Sequence, residues 1–165
     1  MNAVLIGRVT ISESALAKYC PRSYSLARAI KLDTVGPLIS REAIKDRILC
    51  DYLGSDTAIW DGLQVTIWSH DDDEDSIGEE DQERDVACEI TTYSGFEVVG
   101  MLEGPLVVTG AVTAEGVAGL NGEDAQNLAD RINAGYPIRG FGELAYTFTD
   151  LLVLSDSLEP GSDHP

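Results

Sequence analysis

Val86-Ala87-Cys88-Glu89-Ile90-Thr91-Thr92-Tyr93, then Ser94-Gly95, then Phe96-Glu97-Val98-Val99-Gly100-Met101-Leu102, then Glu103-Gly104-Pro105, then Leu106 to Ala114 follow one another without a long interruption. The three apolar, β-branched runs read as strands, and the glycine and proline dipeptides between them read as turns. Consecutive strands joined by short turns predict an antiparallel meander. Upstream, Leu63-Gln64-Val65-Thr66-Ile67-Trp68 alternates Leu63, Val65 and Ile67 against Gln64, Thr66 and Trp68, the signature of a half-buried strand. Trp68 on the second face implies that this face is covered as well. Val4, Ile6, Val9 and Ile11 predict an opening strand over residues 2–11, and Tyr146, Phe148 and Leu151-Leu152-Val153-Leu154 predict a closing one over 144–154.

Helices are expected between these strands. Ser12 has N-cap chemistry ahead of Ala15, Leu16 and Tyr19, and Pro21 stops that segment. Ser23 to Leu32 reads as a second short helix, with Leu26 and Ile30 at i and i+4. Ser40 caps the clearest one, where Ile44, Ile48 and Leu49 form an apolar stripe and Gly54 follows. Glu123 to Asn133 begins with acids, places Ala125, Leu128, Ala129 and Ile132 at core spacing, and is closed by Gly135 and Pro137. The expected fold class is therefore α+β: mainly an antiparallel meander with three to four helices, in a single domain over residues 1–154. A flexible acidic tail is expected over 155–165. At 165 residues the chain is long enough to bury a core without disulfide or metal staples.

The charge is lopsided. The chain holds 29 acidic against 11 basic residues, a net charge of -18, and residues 71–85 alone carry ten carboxylates with one arginine. Those ten are Asp71, Asp72, Asp73, Glu74, Asp75, Glu79, Glu80, Asp81, Glu83 and Asp85. An unpaired ionised carboxylate is far too costly to bury, so this segment faces water, a cation or a basic partner. Direct binding to DNA or RNA phosphate needs a dense basic face that three lysines and eight arginines hardly provide. An anionic membrane is disfavoured by the same repulsion, and no run approaches the roughly 20 apolar residues of a membrane helix. Residues 1–8 lack the basic start and long apolar centre of a signal peptide. Cys20, Cys50 and Cys88 form no Cys-x-x-Cys pair, which suits reduced thiols in a cytoplasm.

Chemistry-bearing motifs are few. Asp71, Asp73 and Asp75 have the opening spacing of a calcium-binding EF-hand loop, but its sixth and twelfth positions hold Ser76 and Gln82 in place of Gly and Glu, and the flanks read as strands. His70 stands beside this segment with no matching ligand set, the other histidine being His164 in the tail. Gly110, Gly116, Gly119 and Gly122 lack the Lys-Ser/Thr end of a phosphate loop, and Glu123 and Asp124 occupy the helix end that an anion would need. Asp33-Thr34-Val35-Gly36 departs from an aspartic-protease triplet by one inserted residue, and no Gly-x-Ser-x-Gly elbow occurs. No cofactor, no metal and no catalytic residue are expected. Among the scarce cations, Arg22, Arg28, Arg131 and Arg139 suit specific ion pairing, and Tyr136-Pro137-Ile138-Arg139-Gly140-Phe141 has an interface-like mixture of arginine and aromatics.

The expected function is that of a non-enzymatic acidic binding protein. Its partner would be a basic protein surface, engaged as an inhibitor or nucleic-acid mimic of the kind found in small viral and mobile-element proteins, by analogy of charge and size. A phage virion or assembly subunit binding copies of itself is the alternative. A third is an ordinary domain of a halophile, against which the clustering of charge in 71–85 argues.

Overall fold

The computed structural model of the chain describes residues 1–11, 22–71, 86–92 and 97–149. Its centre is a nine-stranded sheet in which every pairing is antiparallel. In chain order its strands are β1 (Asn2–Ile11), β2 (Arg22–Lys31), β5 (Leu53–Trp60), β6 (Leu63–His70), β7 (Val86–Thr92), β8 (Val98–Glu103), β9 (Leu106–Thr109), β12 (Ile138–Gly140) and β13 (Leu144–Phe148). Their spatial order is β2-β1-β9-β6-β5-β12-β13-β7-β8. A second, four-stranded sheet is made of β3 (Thr34–Val35), β4 (Leu38–Ile39), β10 (Val112–Thr113) and β11 (Gly116–Val117), ordered β10-β11-β4-β3. Two helices are present among the described residues, α1 (Arg41–Ile48) and α2 (Gly122–Asn133).

Strand alternation divides the interior into two cores, one on each face of the large sheet. On one face Val4, Ile6, Val65, Ile67, Leu106 and Val108 meet Ala125, Leu128, Ala129 and Ile132 of α2. On the other, Ala3, Leu5, Val107 and Trp68 meet Ile44 and Ile48 of α1 and Ile39 and Val117 of the small sheet. Trp68, 2% exposed, is the covered second-face residue that the alternation of β6 implies. Its indole N–H donates to Thr109 Oγ1 at 2.8 Å, and Thr109 in turn donates to the Gly110 carbonyl at 3.0 Å, so neither buried polar group is left unpaired.

The α+β expectation is corrected in three ways. First, three to four helices give way to a sheet-dominated fold with two helices among the described residues. Ser23–Leu32 is not a helix: β2 occupies it and pairs with β1 in continuous register from Asn2 opposite Lys31 to Ile11 opposite Arg22. Positions i and i+4 share a face in a strand as they do in a helix, so Leu26 and Ile30 cannot separate the two states. Ten paired residues along β1 then override the helix preference of Ala27 and Ala29.

Second, the arrangement is not a meander from 86 to 114. β7 and β8 are neighbours, but β9 lies six positions from β8 in the sheet order, between β1 and β6. Leu106, Val107 and Val108 are each fully buried. That run is apolar on both faces and belongs at the centre of a sheet covered on both sides, not at the end of a hairpin. Third, the expected Leu106–Ala114 strand breaks at Gly110, where a Cβ would lie 2.9 Å from the Gly119 carbonyl oxygen and 3.1 Å from that of Ala118. The chain passes from the large sheet to the small one at that close approach.

The two remaining helices form where caps and periodicity agree. Ser40 accepts from the Ala43 N–H ahead of α1, and Leu49 ends the helix in the left-handed region at φ 62°. Asn121 caps α2, accepting from the Asp124 N–H at 2.6 Å and donating to the Asp124 carboxylate at 2.9 Å. At the far end of α2, the Asn133 side chain accepts from the Ala27 N–H at 2.8 Å and donates to the Ala27 carbonyl at 2.7 Å. These bonds satisfy backbone groups on the outer side of edge strand β2, which would otherwise offer a pairing template. The expected helix after Ser12, the Ser94-Gly95 turn, the Leu151–Leu154 run and the 155–165 tail lie outside the described residues.

Candidate functional site

Of the ten acidic positions singled out by sequence, Asp71 is described and Asp72, Asp73, Glu74, Asp75, Glu79, Glu80, Asp81, Glu83 and Asp85 lie outside the described residues. Asp71 follows directly on β6. It is exposed, and its N–H donates to the Tyr52 carbonyl at 3.0 Å. Gly54 sits beneath it, since a Cβ there would be 3.5 Å from Asp71 Cβ. His70 closes β6 opposite Leu53.

The strand registers fix where the acidic segment leaves the fold and where it returns. Trp68 of β6 faces Val107 of β9, which brings Ser69 level with Leu106. On the return, Val86 of β7 faces Glu103 of β8. Both anchors therefore flank the short connection Glu103-Gly104-Pro105-Leu106, and β8 also approaches β6. The strands that precede and follow 72–85, β6 and β7, are four positions apart in the sheet, and each is placed by its own ladder, β6 by β5 and β9 and β7 by β13 and β8.

Three ionisable groups among the described residues are shifted by their surroundings: the half-buried Asp56 on β5, Tyr146 on β13 and Cys88 on β7. Burial lifts the Asp56 carboxyl above its ordinary range, opposed by a hydrogen bond from the Tyr146 hydroxyl. Burial, then the Asp56 charge, pushes the Tyr146 hydroxyl up to about 12. The Cys88 thiol is also pushed up to about 12, first by burial and then by the charges of Asp56 and Glu89. A thiol held in its protonated form is the reverse of an activated nucleophile, and Cys88 contributes to the core as a small apolar side chain. No group of three or more His, Cys, Asp and Glu side chains suited to a metal ion occurs among the described residues.

A concave feature lies at the other end of the β5–β6 hairpin. Asp61 and Gly62, with φ of 52° and 80°, form its two-residue turn. Beside that turn is a cleft of about 290 Å³ lined by Trp60, Asp61, Asn127, Asp130 and Arg131. Trp60 is half-buried and packs against the α2-side core, while Asn127, Asp130 and Arg131 share the outer face of α2 at i, i+3 and i+4. Gln126 donates to Asp130 at 3.0 Å, and the Arg131 guanidinium stands 4.9 Å from the Tyr136 ring centre. Sequence reading singled out Arg131 and the exposed Tyr136 but not Trp60, Asp61 or Asp130. The Asp61-Gly62 dipeptide between apolar runs was the signal for the hairpin; the meeting of its turn with α2 has no linear signature. Arg139, on β12 opposite Ile59 and Ala145, is exposed.

Compared with protein-family models, curated proteins and solved structures, the chain matches none of them. No helix among the described residues is long and apolar enough to cross a membrane.

Proposed function

We propose that the protein is a non-enzymatic acidic binding protein whose segment 71–85 engages a basic protein surface. One observation carries this reading: ten of the chain's 29 acidic residues fall within 71–85, the stretch of sequence between β6 and β7. A negative field concentrated at one point speeds encounter with a positive patch and repels other acidic surfaces. A partner that normally grips nucleic acid suits it, because a groove built for phosphates accepts rows of carboxylates. The partner would then be inhibited by occupation of that groove.

The test replaces Asp71, Asp72, Asp73, Glu79, Glu80 and Asp81 with Asn or Gln and compares capture of binding proteins from lysate at low salt. The wild-type chain is expected to retain basic proteins and to release them as salt rises, and the neutralised chain to bind them about tenfold more weakly with unchanged thermal unfolding. Equal capture by both chains would refute the role given to the segment. Asp71 is exposed and its backbone bond to Tyr52 does not involve the carboxylate, so the substitution is compatible with the fold.

Assembly with copies of itself is a second reading, and β8 favours it. β8 ends the large sheet among the described residues, and Val98, Val99 and Met101 on it are 49%, 53% and 58% exposed. An apolar edge strand is a template for pairing with another chain. If the edge joins copies, sedimentation across a concentration series gives a dimer that Val99→Lys returns to monomer; a wild-type monomer at every concentration removes this reading.

A further inference from the structure

We propose that the cleft between the β5–β6 turn and α2 is a receptor for a single arginine side chain presented by the basic partner, an inference that rests on the binding reading above. Three features converge on that ligand. Trp60 supplies an indole partly sunk in the core and partly facing the cleft, and a cation placed over an indole face is attracted by the ring quadrupole. Asp61 from the turn and Asp130 from α2 supply two carboxylates, against one cation, Arg131, so the lining has a net negative charge. The Arg131 guanidinium is itself drawn onto the Tyr136 ring at 4.9 Å, where it forms a wall of the cleft.

A guanidinium fits this lining better than a neutral sugar or an anion. It is planar, so it stacks on the indole, and its N–H groups fork towards carboxylates in the plane of the ring. An anion would meet Asp61 and Asp130 in a chain already at -18. The cleft lies at the Trp60 end of the hairpin, whereas the acidic segment leaves from its His70 end. The two sites therefore engage different parts of one partner: the segment attracts it over a distance, and the cleft fixes one side chain.

The chain has two tryptophans, and Trp68 is buried on the other face of the sheet, so a ligand that reaches the cleft is read in Trp60 emission. Titration with argininamide is expected to change that emission saturably, and citrullinamide, its neutral isostere, or maltotriose is expected not to. Asp61→Asn and Asp130→Asn should each weaken the response about tenfold. Both keep the shape of the residue, and Asn tolerates the left-handed backbone at position 61. Neutralising residues in 71–85 should leave the argininamide response within twofold at physiological ionic strength. An equal response to citrullinamide or maltotriose, or one insensitive to both substitutions, would overturn the proposal. If argininamide leaves Trp60 unchanged while capture of basic proteins still depends on 71–85, the cleft proposal fails alone. If argininamide binds as expected while capture ignores 71–85, the cleft stands and the role of the segment falls.

Discussion

Replacing Trp68 with alanine should lower the unfolding free energy by about 4 kcal/mol, the middle of the range for removing a large buried aromatic. The side chain is 2% exposed and is among the largest fully buried residues of the protein. It stands where α1 meets β6 and β9, and Ile44, Ile48 and Val107 share its core. Strands on both sides hold the sheet beneath it and a capped helix lies over it, so the vacated volume has little means of collapse. The Arg41 guanidinium, 5.2 Å from the Trp68 ring centre, would lose its aromatic partner as well. Trp68→Phe separates the contributions. It keeps much of the apolar contact but leaves Thr109 Oγ1 without the donor it now has at 2.8 Å, at a cost of about 1–2 kcal/mol. Denaturant unfolding followed by circular dichroism checks both values; an alanine variant within 1 kcal/mol of wild type would mean that this face is not a packed core.

Alternation in Leu63–Trp68 announces a strand, and Trp68 on its polar face announces a second cover, because an indole is too costly to leave in water on an otherwise ordered sheet. The cap at Ser40, and the acidic start and the stripe Ala125, Leu128, Ala129, Ile132 of the later segment, make the two described helices visible, since capping and periodicity are local properties, while Asn121 as the cap of α2 emerges only from the structure. Arg22–Lys31 misleads because its decisive interaction is with β1, which no local pattern contains. β9 misleads in placement, since its neighbours β1 and β6 are distant in sequence while β8 is adjacent in sequence only. Function divides along the same line. The acidic segment is contiguous and can be read directly, whereas Trp60, Asp61 and Asp130 become a cleft only when the β5–β6 turn docks beside α2.

Leu128→Ala should cost about 3–4 kcal/mol, and should do so independently of changes on the opposite face of the sheet. Leu128 is fully buried at the middle of the inner stripe of α2, facing the core that contains Val4, Ile6, Val65 and Ile67. Leu-to-Ala substitutions are least costly where an element can move in to fill the void. Here the chain entering α2 is tied to β1 by the Leu120 N–H, which donates to the Asn2 carbonyl at 2.9 Å, and the far end is tied to β2 by the two Asn133 bonds to Ala27, so movement towards the sheet would strain hydrogen bonds at both ends. The other core, with Ile44 of α1, is reached by side chains of opposite parity on the same strands. Two sites separated by a sheet and sharing no partner side chain should add. Ile44→Val alone is expected to cost about 1 kcal/mol, and the double variant should equal the sum of the single effects within about 0.5 kcal/mol. A coupling above 1 kcal/mol would mean that the sheet transmits strain between its faces, and the description of two cores would have to be replaced by one in which α1 and α2 settle their packing together.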